Sequence, residues 1–235
     1  MNSCEFGAAG VPLETWDLLP IILKLKIMTT AMAGWTAAVA PVPLPAEALT
    51  TMVAGNAAMP VEVSLYDENE HQTGTVAIWR DGATDEATKA DIKRLFRCRS
   101  THRQKLIAQK TLAMLADVAD HYPGKTIEYV SAFRLRNASG DSESSTSPHR
   151  DGRAIDFRIR GVQLRDIRDY VWRTYSDVGV GWYPSEQFVH IDTRPGIHDT
   201  SWTFLHGVNH YHPFWAEVAR DPALAARLAA RGYRS

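Results

Sequence analysis

Cysteine is nearly absent from this sequence, with two residues, Cys4 and Cys98, in a chain of 235. Two thiols build neither a disulfide framework nor a cysteine-based zinc knot. An excess of charge is missing as well. Lys and Arg number 26 against 27 Asp and Glu, for a formal net charge of −1 with nine His counted neutral. That balance excludes a protein whose main task is coating nucleic acid. No uncharged apolar run reaches the ~20 residues of a membrane-spanning helix. Internal repeats are lacking too. What is there is ordinary for a globular chain: 45% apolar, 23% charged and 9% aromatic residues. Wholesale disorder and a coiled-coil rod are thereby excluded. At roughly 150 residues per domain, the length allows one or two domains.

The N-terminal part has a layered composition. Lys24 and Lys26 precede the mostly apolar stretch Ile27 to Trp35, and Ala38-Val39-Ala40 follows. Positive, then apolar, then small is the order of a secretory signal, which points to a periplasmic or secreted protein. Glu14 and Asp17 upstream, and the Thr and Gly within the apolar run, leave open a leader of another kind or a true start at Met28. Residues 1–60 are thus expected to be a leader, a possible signal, and a Pro/Ala-rich linker. Residues 61–205 form the expected principal domain, and 206–235 a helical C-terminal extension.

Val61, Val63 and Leu65 alternate with polar residues, and Val76 to Trp79 is apolar again, which reads as a β-hairpin. Helices are expected over Asp85 to Phe96, Arg103 to His121, Val162 to Tyr175 and Pro213 to Arg231. Strands are expected over Thr126 to Val130, Ala154 to Ile159, Val178 to Gly181 and Phe188 to Ile191. The interleaving, with hairpins and short loops, predicts an α+β fold with a mostly antiparallel sheet and flanking helices.

Two segments carry chemistry. In Ser147-Pro148-His149-Arg150-Asp151-Gly152-Arg153-Ala154-Ile155-Asp156, a polar loop runs into an apolar strand that holds a carboxylate. Alternation puts Ile155, Phe157 and Ile159 on one face and Asp156 on the other. A carboxylate inside a strand needs a partner, and His149 can fold back toward it. In Phe188-Val189-His190-Ile191-Asp192 the same alternation separates core-facing Val189 and Ile191 from His190 and Asp192. Two imidazoles and one carboxylate are a set that catalytic zinc accepts. His149, Asp156 and His190 are therefore the candidate metal ligands, and the chemistry they imply is metal-assisted amide hydrolysis.

Ser-x-His-x-x-Gly-x-Ala-x-Asp with a distal His resembles the zinc peptidases of bacterial cell-wall peptides: D-Ala-D-Ala dipeptidases and carboxypeptidases, and murein endopeptidases. The endopeptidase branch is matched further by Gly179-Val180-Gly181-Trp182-Tyr183-Pro184 and by Phe188-Val189-His190-Ile191-Asp192-Thr193. The likeness spans Val61 to Trp202 and is strongest from Tyr129 to Arg194. It implies a fold shared with hedgehog signalling domains and a peptidoglycan peptide as substrate. It makes His149, Asp156 and His190 the zinc ligands, and Arg134 a group that binds the substrate's carbonyl oxygen or carboxylate. The dipeptidase branch has a Glu three residues before the distal His. Gln187 stands there in this chain and cannot take a proton. Asp192 is then the first candidate proton shuttle and Glu186 the second. Asp192 is equally a candidate for orienting a metal ligand.

Ser147, Trp182, Tyr183 and Arg134 are candidates for the substrate groove, with Trp202 and His198 near it. His206, His210 and His212 read as a polar turn before the last helix. The basic stretch Lys93 to Lys105 reads as a solvated face, or as a hold on an acidic polymer. The rival to an enzyme is a catalytically inactive zinc-containing peptidoglycan-binding module, which the missing glutamate at Gln187 motivates.

Overall fold

The structure is a computed structural model that describes residues 59–136, 140, 142–196 and 198–232. The expected leader and linker, and Cys4 with them, lie outside the described residues, apart from Met59 and Pro60.

Among the described residues, eight strands form one sheet: β1 (Val61–Asp67), β2 (Gln72–Ile78), β3 (Ile127–Ser131), β4 (Ala154–Ile159), β5 (Val178–Tyr183), β6 (Phe188–Thr193), β7 (Thr200–Leu205) and β8 (Val208–Tyr211). Their order is β2-β1-β3-β4-β6-β5-β7-β8. Five helices accompany them: α1 (Glu86–Leu95), α2 (Gln109–His121), α3 (Leu164–Thr174), α4 (Phe214–Arg220) and α5 (Pro222–Ala229). The fold is α+β, and the sheet is mixed. β1 pairs β3 in parallel and β5 pairs β7 in parallel, while the other neighbours are antiparallel. A parallel pair needs a crossover, and α1 and α2 supply the one between β1 and β3.

α2 packs on β1, β2 and β6, and α3 packs on β4, β5 and β6. Between helices and sheet lies one core that includes Leu112, Leu115, Val118, Ile167 and Val171 from the helices. Ile155, Phe157, Ile159, Val189 and Ile191 meet them from the strands. Burying each such aliphatic side chain contributes about 1.5–3 kcal/mol before the entropy of ordering is subtracted. The period-two pattern thus commits one face of β4 and β6 to the core and turns Asp156 and His190 to the other.

Four local expectations need correction. The helix expected from Arg103 begins only at Gln109. The amide of Ala108 donates to the carbonyl of Gly152 (2.8 Å), and the Lys105 ammonium donates to the carbonyl of Arg150 (2.9 Å). These tertiary bonds hold 105–108 along the loop that carries His149 and override helical periodicity. The last helix is broken at Asp221, because Pro222 has no N–H to give and disfavours the helical conformation at the residue before it. Asp221 is extended, and its side chain caps α5 at Leu224. His206 to His212 is no simple turn. His206 and Gly207 both have positive φ (51° and 81°), the requirement of a two-residue hairpin turn, and they join β7 to β8. That hairpin crosses the domain boundary expected after residue 205, so 206–211 belongs to the sheet.

Candidate metal centre

His149 is the second residue of a 3-10 turn, Pro148–Asp151. Pro148 supplies the fixed φ that starts the turn, and Gly152 ends it in the left-handed region at φ 66°. A Cβ on Gly152 would lie 2.8 Å from the carbonyl oxygen of Leu106, so this position needs glycine twice over. The imidazole of His149 is buried, and its Nδ1 donates to the carbonyl of Ala132 at 2.6 Å. A carbonyl can only accept, so the proton sits on Nδ1 and Nε2 presents a lone pair.

Asp156 and His190 are register partners across β4 and β6. Asp156 Oδ1 lies 2.7 Å from His190 Nδ1. His149 Nε2 lies 3.2 Å from His190 Nδ1 and 3.3 Å from Asp156 Oδ2. The far ring nitrogen of His190, Nε2, donates to Asp192 Oδ2 at 3.1 Å. With that proton placed, Nδ1 becomes an acceptor once the proton it shares with Asp156 across 2.7 Å is given up. Three acceptors, two nitrogens and a carboxylate, therefore converge in a buried place, with ligand atoms all within 4.8 Å of one another. Acceptors that close repel unless a cation or an extra proton lies among them. The donor set fits a divalent ion of borderline hardness, with His149 Nε2, His190 Nδ1 and Asp156 as its holders.

Electrostatics agree. Burial alone would raise the Asp156 carboxyl, but the two imidazoles outweigh it and hold it far below the usual range. Burial alone would lower His190, yet hydrogen bonds to Asp156 and Asp192 push it up to about 9 in the metal-free protein.

Asp192 is fully buried behind His190, on the side away from the converging acceptors. Both its oxygens are engaged by Arg194: Nε donates to Oδ1 at 2.9 Å and Nη2 to Oδ2 at 3.1 Å. Glu186 lies in the β5–β6 turn, exposed, two residues before β6 begins. Strand alternation does not extend to it, because Gln187 takes φ 60°.

Arg134 lies beside the cluster. Its Nη1 is 3.4 Å from Asp156 Oδ2, and its backbone N–H donates to the carbonyl of His149 at 3.4 Å. Its Nε sits 2.8 Å from Glu143 Oε2. Glu143 is a lone carboxylate in a Ser-rich loop, a sequence context that carries no signal of this contact. Ser147 is half-buried at the entry to the 3-10 turn.

The aromatic residues separate by face. Gly181 pairs with His190 on β6 and with Trp202 on β7, and Trp202 pairs with Tyr211 on β8. The Trp202 ring lies 5.1 Å from that of His190, and its Nε1 donates to the Tyr183 hydroxyl at 3.2 Å. Burial pushes Tyr183 up to about 12, with Asp156 adding to the rise, so its hydroxyl keeps its proton. Trp182, expected in the substrate groove, is on the opposite face. It pairs with Val189, and its ring packs 4.5 Å from the guanidinium of Arg168, a fully buried side chain whose other flank is Trp215 at 4.3 Å.

The glycines of Gly179-Val180-Gly181 now have a reason. A Cβ on Gly179 would come within 2.1 Å of Asp192 Oδ2, and one on Gly181 within 2.5 Å of the Trp202 ring. Both groups cross β5 where a side chain would stand.

Comparison with known proteins places this geometry in a family. The profile described as peptidoglycan L,D-endopeptidase MepK matches residues 55–198, which include His149, Asp156 and His190. A relative from Haemophilus influenzae, named probable peptidoglycan L,D-endopeptidase MepK, is 41% identical over 64 residues, 27% of this chain and 33% of the relative. The Escherichia coli K12 protein named peptidoglycan L,D-endopeptidase MepK is 34% identical over 80 residues, 32% of this chain and 43% of that protein. The chain thus aligns with less than half the length of these relatives. The profile, by contrast, covers more than half of this chain, together with the turn and the strands that bear His149, Asp156 and His190, and the chain belongs to the peptidoglycan L,D-endopeptidase MepK family.

Proposed function

We propose that the chain is a zinc-dependent peptidase that cleaves peptide bonds in peptidoglycan and so takes part in cell-wall remodelling. The observation that carries this reading is the convergence of three buried ligand atoms, from His149, Asp156 and His190, within 4.8 Å of one another, with the Arg134 guanidinium alongside at 3.4 Å from Asp156. Zinc held there would supply a Lewis acid that polarises a carbonyl and acidifies water. Family membership supports the substrate class, and the proposed location is the periplasm or the cell exterior. The hedgehog-like fold implied by the sequence motifs belongs to the same proposal.

In this reading His149 and His190 serve as neutral ligands whose tautomers are set from behind, by the Ala132 carbonyl and by Asp192. Asp192 is a positioning residue. Its two oxygens are spent on His190 and Arg194, which leaves it poorly placed to shuttle a proton. Arg134 stands beside Asp156 and would neutralise charge on the substrate's carbonyl oxygen. The Tyr183 hydroxyl accepts from Trp202 and keeps its own proton free to donate to the substrate.

The second reading, an inactive zinc-containing module, is favoured by one observation. Among the described residues, Asp156 and Asp192 are the carboxylates in contact with the two imidazoles, and both are engaged. Mass spectrometry of murein fragments decides between the two. Peptide products released by the zinc-loaded protein and not by His149→Ala establish the enzyme. Retention on sacculi with no product establishes the module.

A further inference from the structure

The basic stretch from Lys93 to Lys105 has no part in the reading above, yet two of its arginines, partly buried, line a cavity. Arg97 and Arg99 border a cavity of about 380 Å³ between the end of α1 and the end of β3 with the loop that follows it. Arg134 and Arg136 border it from the other side, with Asn69 and Ser131 also in its wall. Four arginines are among the residues that line this cavity, and among the described residues no Asp or Glu is. The carboxylates that pair with them are not part of the lining. Glu70 receives Arg97 Nη2 at 2.5 and 2.6 Å, and Asp67 receives Arg99 Nη2 at 3.2 Å. Arg136 Nη1 donates to the carbonyl of Gly140 at 2.7 Å. A guanidinium has five N–H groups, and these contacts fix the forks in place while leaving donors over.

The cavity adjoins the metal centre through shared residues. Ala132, whose carbonyl orients His149, and Arg134, whose Nη1 reaches Asp156, both belong to its wall. A peptide held at the cluster therefore has a neighbouring recess of side-chain size, rich in planar donors suited to bidentate capture of an anion.

We propose that this cavity is an anion subsite that receives a carboxylate of the peptide substrate, next to the bond presented at the metal centre. The inference rests on the reading of the chain as a peptidoglycan peptidase, and it adds selectivity for stems with free carboxylates over amidated stems. An amide fits the same space but presents N–H groups to N–H groups, so it leaves the guanidiniums unpaired.

Calorimetry on the purified full chain tests this with the stem tripeptide L-Ala-γ-D-Glu-diaminopimelate and its fully amidated form. The free acid is expected to bind about tenfold tighter, with a gap that narrows as salt rises. Arg136→Gln and Arg99→Gln should each shrink the gap about threefold and leave affinity for the amidated peptide unchanged. Arg136 is exposed, so its variant is expected to melt like the parent; Arg99→Gln is read beside its own melting curve, because it removes the ion pair of the buried Asp67 and leaves it the hydrogen bonds from Tyr129 and the Asn69 and Glu70 amides. Inorganic phosphate is the competing probe, and displacement of the tripeptide by micromolar phosphate would reassign the cavity and overturn the proposal. Equal binding of acid and amide, no binding of either, or a gap untouched by both substitutions would overturn it as well. Cleavage is not needed for this measurement. An intact gap without zinc-dependent cleavage removes the catalytic reading alone, and cleavage without a gap removes the subsite alone.

Discussion

Asp156 and His190 stand directly opposite each other on β4 and β6, with carboxylate oxygen and ring nitrogen 2.7 Å apart. In the metal-free protein that contact holds a proton, and His190 is raised from 6.5 to about 9. Zinc must displace the proton, so apparent zinc affinity should climb about tenfold per pH unit up to about pH 9. Competition titrations against a chelator at several pH values check the slope, and a flat profile would refute the assignment.

The same groups set the pH dependence of metal-free stability. His190 has a folded pKa above its unfolded one, so its contribution is complete below about pH 6.5 and is lost as pH rises through about 9. Asp156 and Asp192 are depressed, so their contributions are present above about pH 3.8 and are lost on acidification through their lowered values. Melting temperature without metal is expected to be highest between about pH 4 and 6.5 as far as these groups decide it. Calorimetric scans with and without zinc test this, since bound zinc should move the optimum upward.

His149→Ala removes a ligand whose tautomer the Ala132 carbonyl fixes. Zinc content should fall from near one per chain to a small fraction, and murein cleavage by more than about 100-fold, beyond what loss of a ligand's supporting partner costs. Metal analysis of the purified variant reads the first quantity and a muropeptide digest the second.

Asp192→Asn separates orientation from proton transfer. As a positioning residue it should cost about 10–100-fold in zinc affinity. Cleavage should return toward the parent level at saturating zinc. A loss of turnover that excess zinc does not restore would make Asp192 the shuttle after all.

Gly181→Ala puts a methyl where the Trp202 ring lies, within 2.5 Å. Overpacking of this kind costs about 1–3 kcal/mol. Movement of Trp202 off His190 should appear as a change in tryptophan fluorescence, with a midpoint shift in urea measuring the cost.

Much of this site was legible because its determinants are local. The spacing of His149 to Asp156 spans one turn and half a strand, and alternation alone put Asp156, His190 and Asp192 off the core face. What stayed hidden depends on contacts between distant segments. Nothing near Arg103 says that the carbonyl of Gly152 will claim the Ala108 amide and delay α2. Trp182 and Tyr183 are both groove candidates by sequence, yet consecutive strand residues point to opposite faces, and the partner of Trp182, Arg168, is fourteen places earlier on another element. Glu143 becomes visible only when the loop returns to Arg134. The two glycines of β5 were a sequence signal whose cause was missing. They mark where Asp192 and Trp202 cross the strand.

β4 and β6 are fourth and fifth in the order of the described strands, so two of the three proposed ligands, Asp156 and His190, are clamped at the middle of a ladder. The third sits on a four-residue turn joined to its surroundings by a handful of backbone bonds. Escape of a captured ion would then begin at His149, by hinging of that turn, and its rate would follow the local opening of residues 148–152 and not the melting of the whole sheet.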